Sequence, residues 1–270
     1  MSGDALSVAE AARFALEALE GGEPCVSVVV VEGGEAGRRT TVWQDRAEGS
    51  LGRPELDRAA WGAARELLAG SLANDHRSVE TAGGSATLYL EAHRPPDGLV
   101  IVGAGHIARP LCKIGALLGL RVSVLDDRPE FAARERFPEA YRVARVDFSA
   151  PFASVALGPT THLVLVTRGH KYDYDALKSV LLGDGSLGYV GMVGSRRRVR
   201  AAFEQLVREG VPVEKLTSVY SPVGLDIGAE TPEEIALAVA AEIVRHRRGG
   251  SGRPLRDVER VVERWIGEKG

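Results

Sequence analysis

The chain has 270 residues, 44% of them hydrophobic and 26% charged, with a formal net charge of −3. This is the composition of a globular protein long enough for one large domain or two small ones, and the slight negative charge argues against the broad positive field that nucleic-acid binding needs. The two cysteines, Cys25 and Cys112, lie far apart and give neither a disulfide framework nor a metal-binding spacing.

The first residues lack the basic and apolar segments of a signal peptide. No apolar run reaches the length needed to span a bilayer. The expectation is a cytoplasmic protein with no membrane segment and no protein-bound metal.

Residues 4–20 predict an amphipathic helix stopped by Gly21 and Gly22. Residues 25–31 are strongly β-prone, and 40–43 predict a neighbouring strand after a glycine-rich turn. Pro54 suits the first turn of a helix predicted over 54–74, and residues 86–92 have strand composition. Residues 1–93 therefore predict a small α/β domain. Arg94-Pro95-Pro96-Asp97-Gly98 interrupts regular structure and predicts a linker over 94–98.

The next stretch organises the rest of the chain, predicted as a Rossmann-like parallel sheet over 99–248. Leu99 to Val102 is an apolar run without alternation, as in a strand buried on both faces. It enters Gly103-Ala104-Gly105-His106-Ile107-Ala108, a G-x-G-x-x-A turn. Glycines there permit a sharp turn and a close ligand, and the helix that follows offers unpaired N–H groups to a phosphate. A second strand over 121–125 ends at Asp126, roughly 20 residues beyond the turn, where a ribose-binding carboxylate is expected. Further strands are predicted over 141–146, 162–166, 187–193 and near 217–220. A short helix is predicted over 131–137, and longer helices over 107–118, from about 174, and up to 209. Thr231-Pro232-Glu233-Glu234 is a capping box opening a last long helix. Residues 249–270 predict a flexible tail with a short helix over 257–266.

In an open parallel sheet, ligands bind over the carboxyl ends of the strands. The unusual polar residues of the domain gather in those loops. His106 contacts a bound anion or polar ring, or makes a hydrogen bond that shapes its own turn. Gly194-Ser195 precedes Arg196, Arg197 and Arg198; Ser195 caps a solvated basic helix, or the same helix start takes an anion. Asp126 suits a ribose or other hydroxyl, while Asp127 and Arg128 face the ligand or form a surface pair. His170 is an acid–base candidate or a solvated loop residue. Asp226 accepts from a ligand or from its own turn. Cys112 and Cys25 fit the core. No G-x-S-x-G elbow and no Walker A loop is present.

Together these loops resemble the xanthine dehydrogenase accessory protein family (XdhC/CoxI). The resemblance rests on Val102-Gly-Ala-Gly-His-Ile-Ala108, Val124-Leu-Asp-Asp-Arg-Pro129, Val193-Gly-Ser-Arg-Arg197, and the long segment from Pro222 to Glu234. It implies an accessory factor that binds molybdenum cofactor, aids its sulfuration with a cysteine desulfurase, and delivers it to a molybdenum hydroxylase apoenzyme. It further implies a Rossmann domain after a smaller domain, and a homodimer. A phosphate-bearing pterin suits Gly103, Gly105, His106, Ala108, Asp126, Asp127, Arg128, Gly194, Ser195, Arg196, Arg197 and Asp226. The departure is N-terminal: residues 32–38 and 49–57 stand where family members carry glycine-rich segments, one with a cysteine, and that cysteine is missing. Two other readings fit the same strand ends: an NAD(P)-dependent oxidoreductase with His170 in proton transfer, and a nucleotide-sensing module.

Overall fold

The protein is described from a computed structural model that covers residues 4–70, 72–82, 84–183, 187–259 and 265, without the side chains of His170 and Lys171. It divides into two compact units, Met1–Pro96 and Asp97–Gly270.

The first unit is an antiparallel sheet with two helices. Helix α1 (Val8–Leu19) opens on a capping box between Ser7 and Glu10. Strands β1 (Cys25–Glu32), β2 (Arg39–Val42), β3 (Ala47–Gly49), β4 (Asn74–Thr81) and β5 (Gly84–His93) assemble in the order β3-β2-β1-β5-β4. Helix α2 (Pro54–Ala69) ends at Gly70, short of the predicted residue 74. Alternate residues Val26, Val28 and Val30 of β1 meet Leu56, Ala60, Ala64 and Leu67 of α2 in one core, as the two-residue period of a strand requires. The two divergent stretches fold against each other: Arg53 donates to Glu35 at 2.5 Å, and Asp57 accepts from Ser50 and from the backbone of Leu51.

The second unit is a six-stranded parallel sheet. Its strands are β6 (Gly98–Val102), β7 (Arg121–Asp126), β8 (Arg142–Arg145), β9 (Thr161–Leu165), β10 (Tyr189–Met192) and β11 (Val219–Tyr220), in the order β11-β10-β9-β6-β7-β8. This is the doubly wound order of a Rossmann fold, with the reversal between β6 and β9. Helix α3 (Ala108–Leu117) follows β6 and shares one core with α7 (Pro232–Arg248). On the other face, α4 (His170–Leu182), α5 (Arg196–Arg208) and α6 (Val213–Thr217) share a second core. Residues Leu99 to Val102 and Thr161 to Leu165 are buried throughout, as strands covered on both faces must be.

Several boundaries differ from the sequence expectation. The predicted 131–137 helix is one 3-10 turn, Arg134–Arg136. Helix α4 begins at His170, four residues before the predicted Tyr174, because Gly169 supplies an extended N-cap. The tail carries a helix at Leu255–Glu259, and most of the predicted 257–266 helix lies outside the described residues.

Helix α7 carries the expected Thr231–Glu234 capping box. Its buried Glu242 accepts the Tyr189 hydroxyl at 2.6 Å and the Gly224 N–H at 3.0 Å. A buried carboxylate with two donors is tolerable where an unpaired one is not, and this one ties the 221–228 loop to the helix beneath it.

Candidate functional site

The site is built on the loops after β6, β7, β9, β10 and β11. At the end of β6, Gly103 has φ +102°, and a Cβ there would stand 2.6 Å from the Val166 carbonyl oxygen. Only glycine fits a turn packed so closely on the neighbouring strand. Ala108, in place of a third glycine, is fully buried. At Gly105, by contrast, a Cβ would meet nothing within 4 Å. The backbone N–H groups of Gly105 and His106 donate to no protein group among the described residues. His106 is exposed and makes no turn-shaping hydrogen bond there. The outer side of the turn is thus an open ring of donors.

The inner side is held by Asp126. Its Oδ2 accepts the Ala104 N–H at 2.7 Å and Arg128 Nη2 at 2.9 Å, and its Oδ1 accepts the Arg128 N–H at 3.0 Å and Nε at 2.9 Å. Four donors fill the roughly four lone-pair sites of a carboxylate. The side chain is only 3% exposed. Burial alone would raise its pKa, but the Arg128 and backbone hydrogen bonds overcome that and hold it at about 2. The sequence offers this acid to a ligand hydroxyl; the structure turns it inward onto the turn. Arg128 also lies over the Phe131 ring at 3.5 Å, and Arg136 over the same ring at 4.5 Å. Arg136 donates to the Ala104 carbonyl, while its buried Nε has no hydrogen-bond partner among the described residues.

Asp127 points the other way. Arg168 donates to its Oδ2 at 3.1 Å and to the Tyr172 hydroxyl at 3.0 Å. So Asp127 pairs across to the β9 loop, not only with the adjacent Arg128, whose Nε is 4.0 Å away. His170 is the first residue of α4 instead of the end of a loop, and its side chain lies outside the described residues. In the same first turn, Asp173 accepts the Thr167 hydroxyl at 2.6 Å. Burial pushes the Asp173 carboxyl up to about 6. The sequence reading missed this residue because it began the helix too late; an aspartate four residues after Gly169 is the signal that a corrected start exposes.

At α5, Ser195 has the extended backbone of an N-cap but makes no side-chain cap bond, and the first turn holds no acid. Gly194 is half-buried, and Arg196 and Arg197 are exposed and form no ion pair among the described residues. An uncapped helix start with flanking guanidiniums is an anion site in waiting. Strands β6, β9 and β10 are consecutive in the sheet, so the two open turns stand two strand spacings apart, roughly 10 Å. Asp226 is exposed in the 221–228 loop and accepts no hydrogen bond from its own turn among the described residues.

The arrangement offers N–H donors and arginines to a multiply charged anion. Among the described residues, no group of three or more His, Cys, Asp or Glu is placed to hold a metal ion. Cys25 and Cys112 are buried, and burial pushes both thiols up to about 11, so neither supplies a thiolate near neutral pH.

Residues 99–243 match the family model described as the XdhC Rossmann domain. The chain belongs to the XdhC family. The matched span includes every one of the loops just described. This XdhC-family chain is 32% identical over 171 residues to the Escherichia coli protein named uncharacterized protein YqeB, covering 63% of this chain and 31% of that protein. It is 32% identical over 164 residues to a Bacillus subtilis protein described as a probable xanthine dehydrogenase subunit, covering 61% of this chain and 47% of that one. The chain thus spans less than half the length of these relatives. A crystal structure described as a xanthine dehydrogenase from Bacillus halodurans shares the fold, with a TM-score of 0.52 and 19% identity over 88% of this chain and 96% of that one. No helix among the described residues is long and apolar enough to cross a membrane.

Proposed function

We propose that the chain is an accessory factor for a molybdenum hydroxylase of the xanthine dehydrogenase type, receiving molybdenum cofactor by its phosphate end. The observation that carries this reading is the pair of open helix starts, at Gly105–His106 and at Ser195–Arg197, set about 10 Å apart across the intervening strand β9. Family membership and the name of the Bacillus subtilis relative supply the partner. In this reading the Gly105 and His106 N–H groups, Ser195, Arg196 and Arg197 hold the phosphate, and Asp126 keeps the turn in the shape that presents those donors. Bound there, the cofactor supplies the molybdenum centre that a hydroxylase needs.

The chain's own residues fit the anionic tail of the cofactor and not its metal, since both thiols are buried. Sulfur for the cofactor is accordingly brought by a cysteine desulfurase and not carried on Cys25 or Cys112. The factor works as a homodimer in this proposal. The oxidoreductase reading is weaker, because Asp126, its ribose acid, already holds four protein donors. The test is to produce a molybdenum hydroxylase with and without this chain and measure molybdenum and terminal sulfur per active site. Occupancy is expected to rise with the chain and to fall back when Arg196 and Arg197 are both changed to alanine; equal occupancy with and without the chain would overturn the proposal.

A further inference from the structure

Helices α5 and α6 enclose a groove of about 710 Å3 that reaches Pro222, just past the edge strand β11. Val199, Phe203 and Val207 recur at every fourth residue of α5 and form one stripe about 12 Å long. Val213 and Leu216 of α6 line the other side. Val199 and Leu216 are buried, whereas Val207 and Val213 are 44% and 55% exposed, so the apolar wall is left open to solvent. The anion site uses only the start of α5, and a stripe running down the helix has no part in it.

The rim decides what kind of surface belongs there. Arg196, Arg200 and Arg208 line the groove, and Glu204 is the one acid among its described lining residues. Glu204 is held by Arg200 at 2.8 Å and approached by Arg208 at 4.0 Å, while Arg196 forms no ion pair among the described residues. Three guanidiniums against one carboxylate leave an excess of two positive charges around an apolar floor. A groove between two helices takes the apolar face of a third, and apolar patches with a polar rim mark protein contacts. The excess charge selects acidic residues beside the incoming apolar stripe.

The groove also begins where the anion site ends, because Arg196 belongs to both. A protein seated in the groove therefore has one end beside the phosphate that Arg196 holds. The recipient of the cofactor needs that position, since it must take over the phosphate; a sulfur donor works at the metal end.

We infer that the α5–α6 groove docks the recipient hydroxylase apoenzyme through a helix whose apolar stripe is flanked by acidic residues. The inference rests on the proposed function for the identity of the recipient and adds the surface and its chemistry.

The test is calorimetric titration of the full chain with cofactor-free xanthine dehydrogenase. Val207→Glu and Arg208→Glu change exposed side chains about three turns along α5 from Arg196. Each is expected to weaken docking about tenfold or more while leaving pyrophosphate binding and melting temperature unchanged. Arg208→Lys, which keeps the charge, is expected to retain most of the affinity. Docking that survives both glutamate substitutions would overturn the inference and leave the proposed function standing. So would a Val207→Glu chain that docks normally but no longer dimerises, which gives the groove to a second copy, or no longer sediments with anionic lipid vesicles, which gives it to a membrane. If the wild-type chain does not bind the apoenzyme yet raises its molybdenum occupancy, the docking inference alone falls; if it does neither, the proposed function falls with it.

Discussion

The carboxylate of Asp126 accepts the backbone N–H of Ala104 at 2.7 Å across the base of the glycine turn. One side chain at the end of β7 thereby sets the path of the loop after β6, and through Arg128 it also fixes its own loop. The acid that a dinucleotide fold commonly turns toward the ligand serves here to hold the donors that face it.

Stability should therefore fall in acid through this residue. The folded-state pKa is about 2, below the ordinary value of 3.8. A depressed carboxylate contributes stability that is present above the ordinary value and is lost as pH falls from about 4 to about 2. Its share is about 2 kcal/mol. Urea unfolding of the wild type and Asp126→Asn, at pH 7 and pH 2.5, measures it. The difference between the two proteins should shrink at the lower pH; a constant difference would show that the charge on Asp126 is not what stabilises the turn.

The two glycines of the turn should respond oppositely to alanine. At Gly103 the backbone is left-handed and the added Cβ meets the Val166 carbonyl, so Gly103→Ala should cost about 2 kcal/mol or more. At Gly105 the Cβ enters open space, so Gly105→Ala should change thermal stability little. It should nevertheless weaken pyrophosphate binding about tenfold, by standing where the anion approaches. Melting temperature and calorimetric affinity, measured on both variants, separate the shape of the turn from its use.

Much of this was legible in the sequence because parallel strands announce themselves. Leu99 to Val102 and Leu163 to Leu165 are apolar on both faces, and the glycines and Asp126 punctuate them. Strand β4, Asn74–Thr81, was not legible: it is mostly polar, lies at the sheet edge and is specified by pairing with β5. Helix α6, five residues long, is too short to show a period. The site was legible as a set of loops but not in its polarity. That Asp126 faces in and Asp127 out depends on which donors a strand end brings near, Ala104 in one case and Arg168 in the other, and neither is a neighbour in sequence.

Asp173 gives the opposite pH signature to Asp126. Burial raises its carboxyl from 3.8 to about 6. A raised carboxyl favours the folded state below its ordinary value, and that contribution is lost as pH rises from about 4 through about 6. Asp173→Asn keeps an acceptor for the Thr167 hydroxyl and removes the charge. It should gain stability relative to wild type between pH 4.5 and pH 8, by up to about 3 kcal/mol. Denaturant midpoints at the two pH values decide it, and a wild-type advantage that grows with pH would refute the buried-acid account.

Ser195→Asp separates what α5 gains as a helix from what it offers as a site. The helix start is uncapped and has no acid in its first turn, and three arginines follow at 196–198. An aspartate there accepts from the free N–H groups and complements the helix dipole, so the variant should be more stable by about 1 kcal/mol. The same carboxylate occupies the donors that an anion would use and repels it, so phosphate or pyrophosphate affinity should drop about tenfold or more. Most changes that harm binding also harm folding; here the two move apart, because the open end of α5 is costly to the fold and useful only to a ligand. Thermal denaturation and titration on one preparation test both halves. If stability rises while affinity holds, the anion does not sit at α5, and the Gly105–His106 turn carries the phosphate alone.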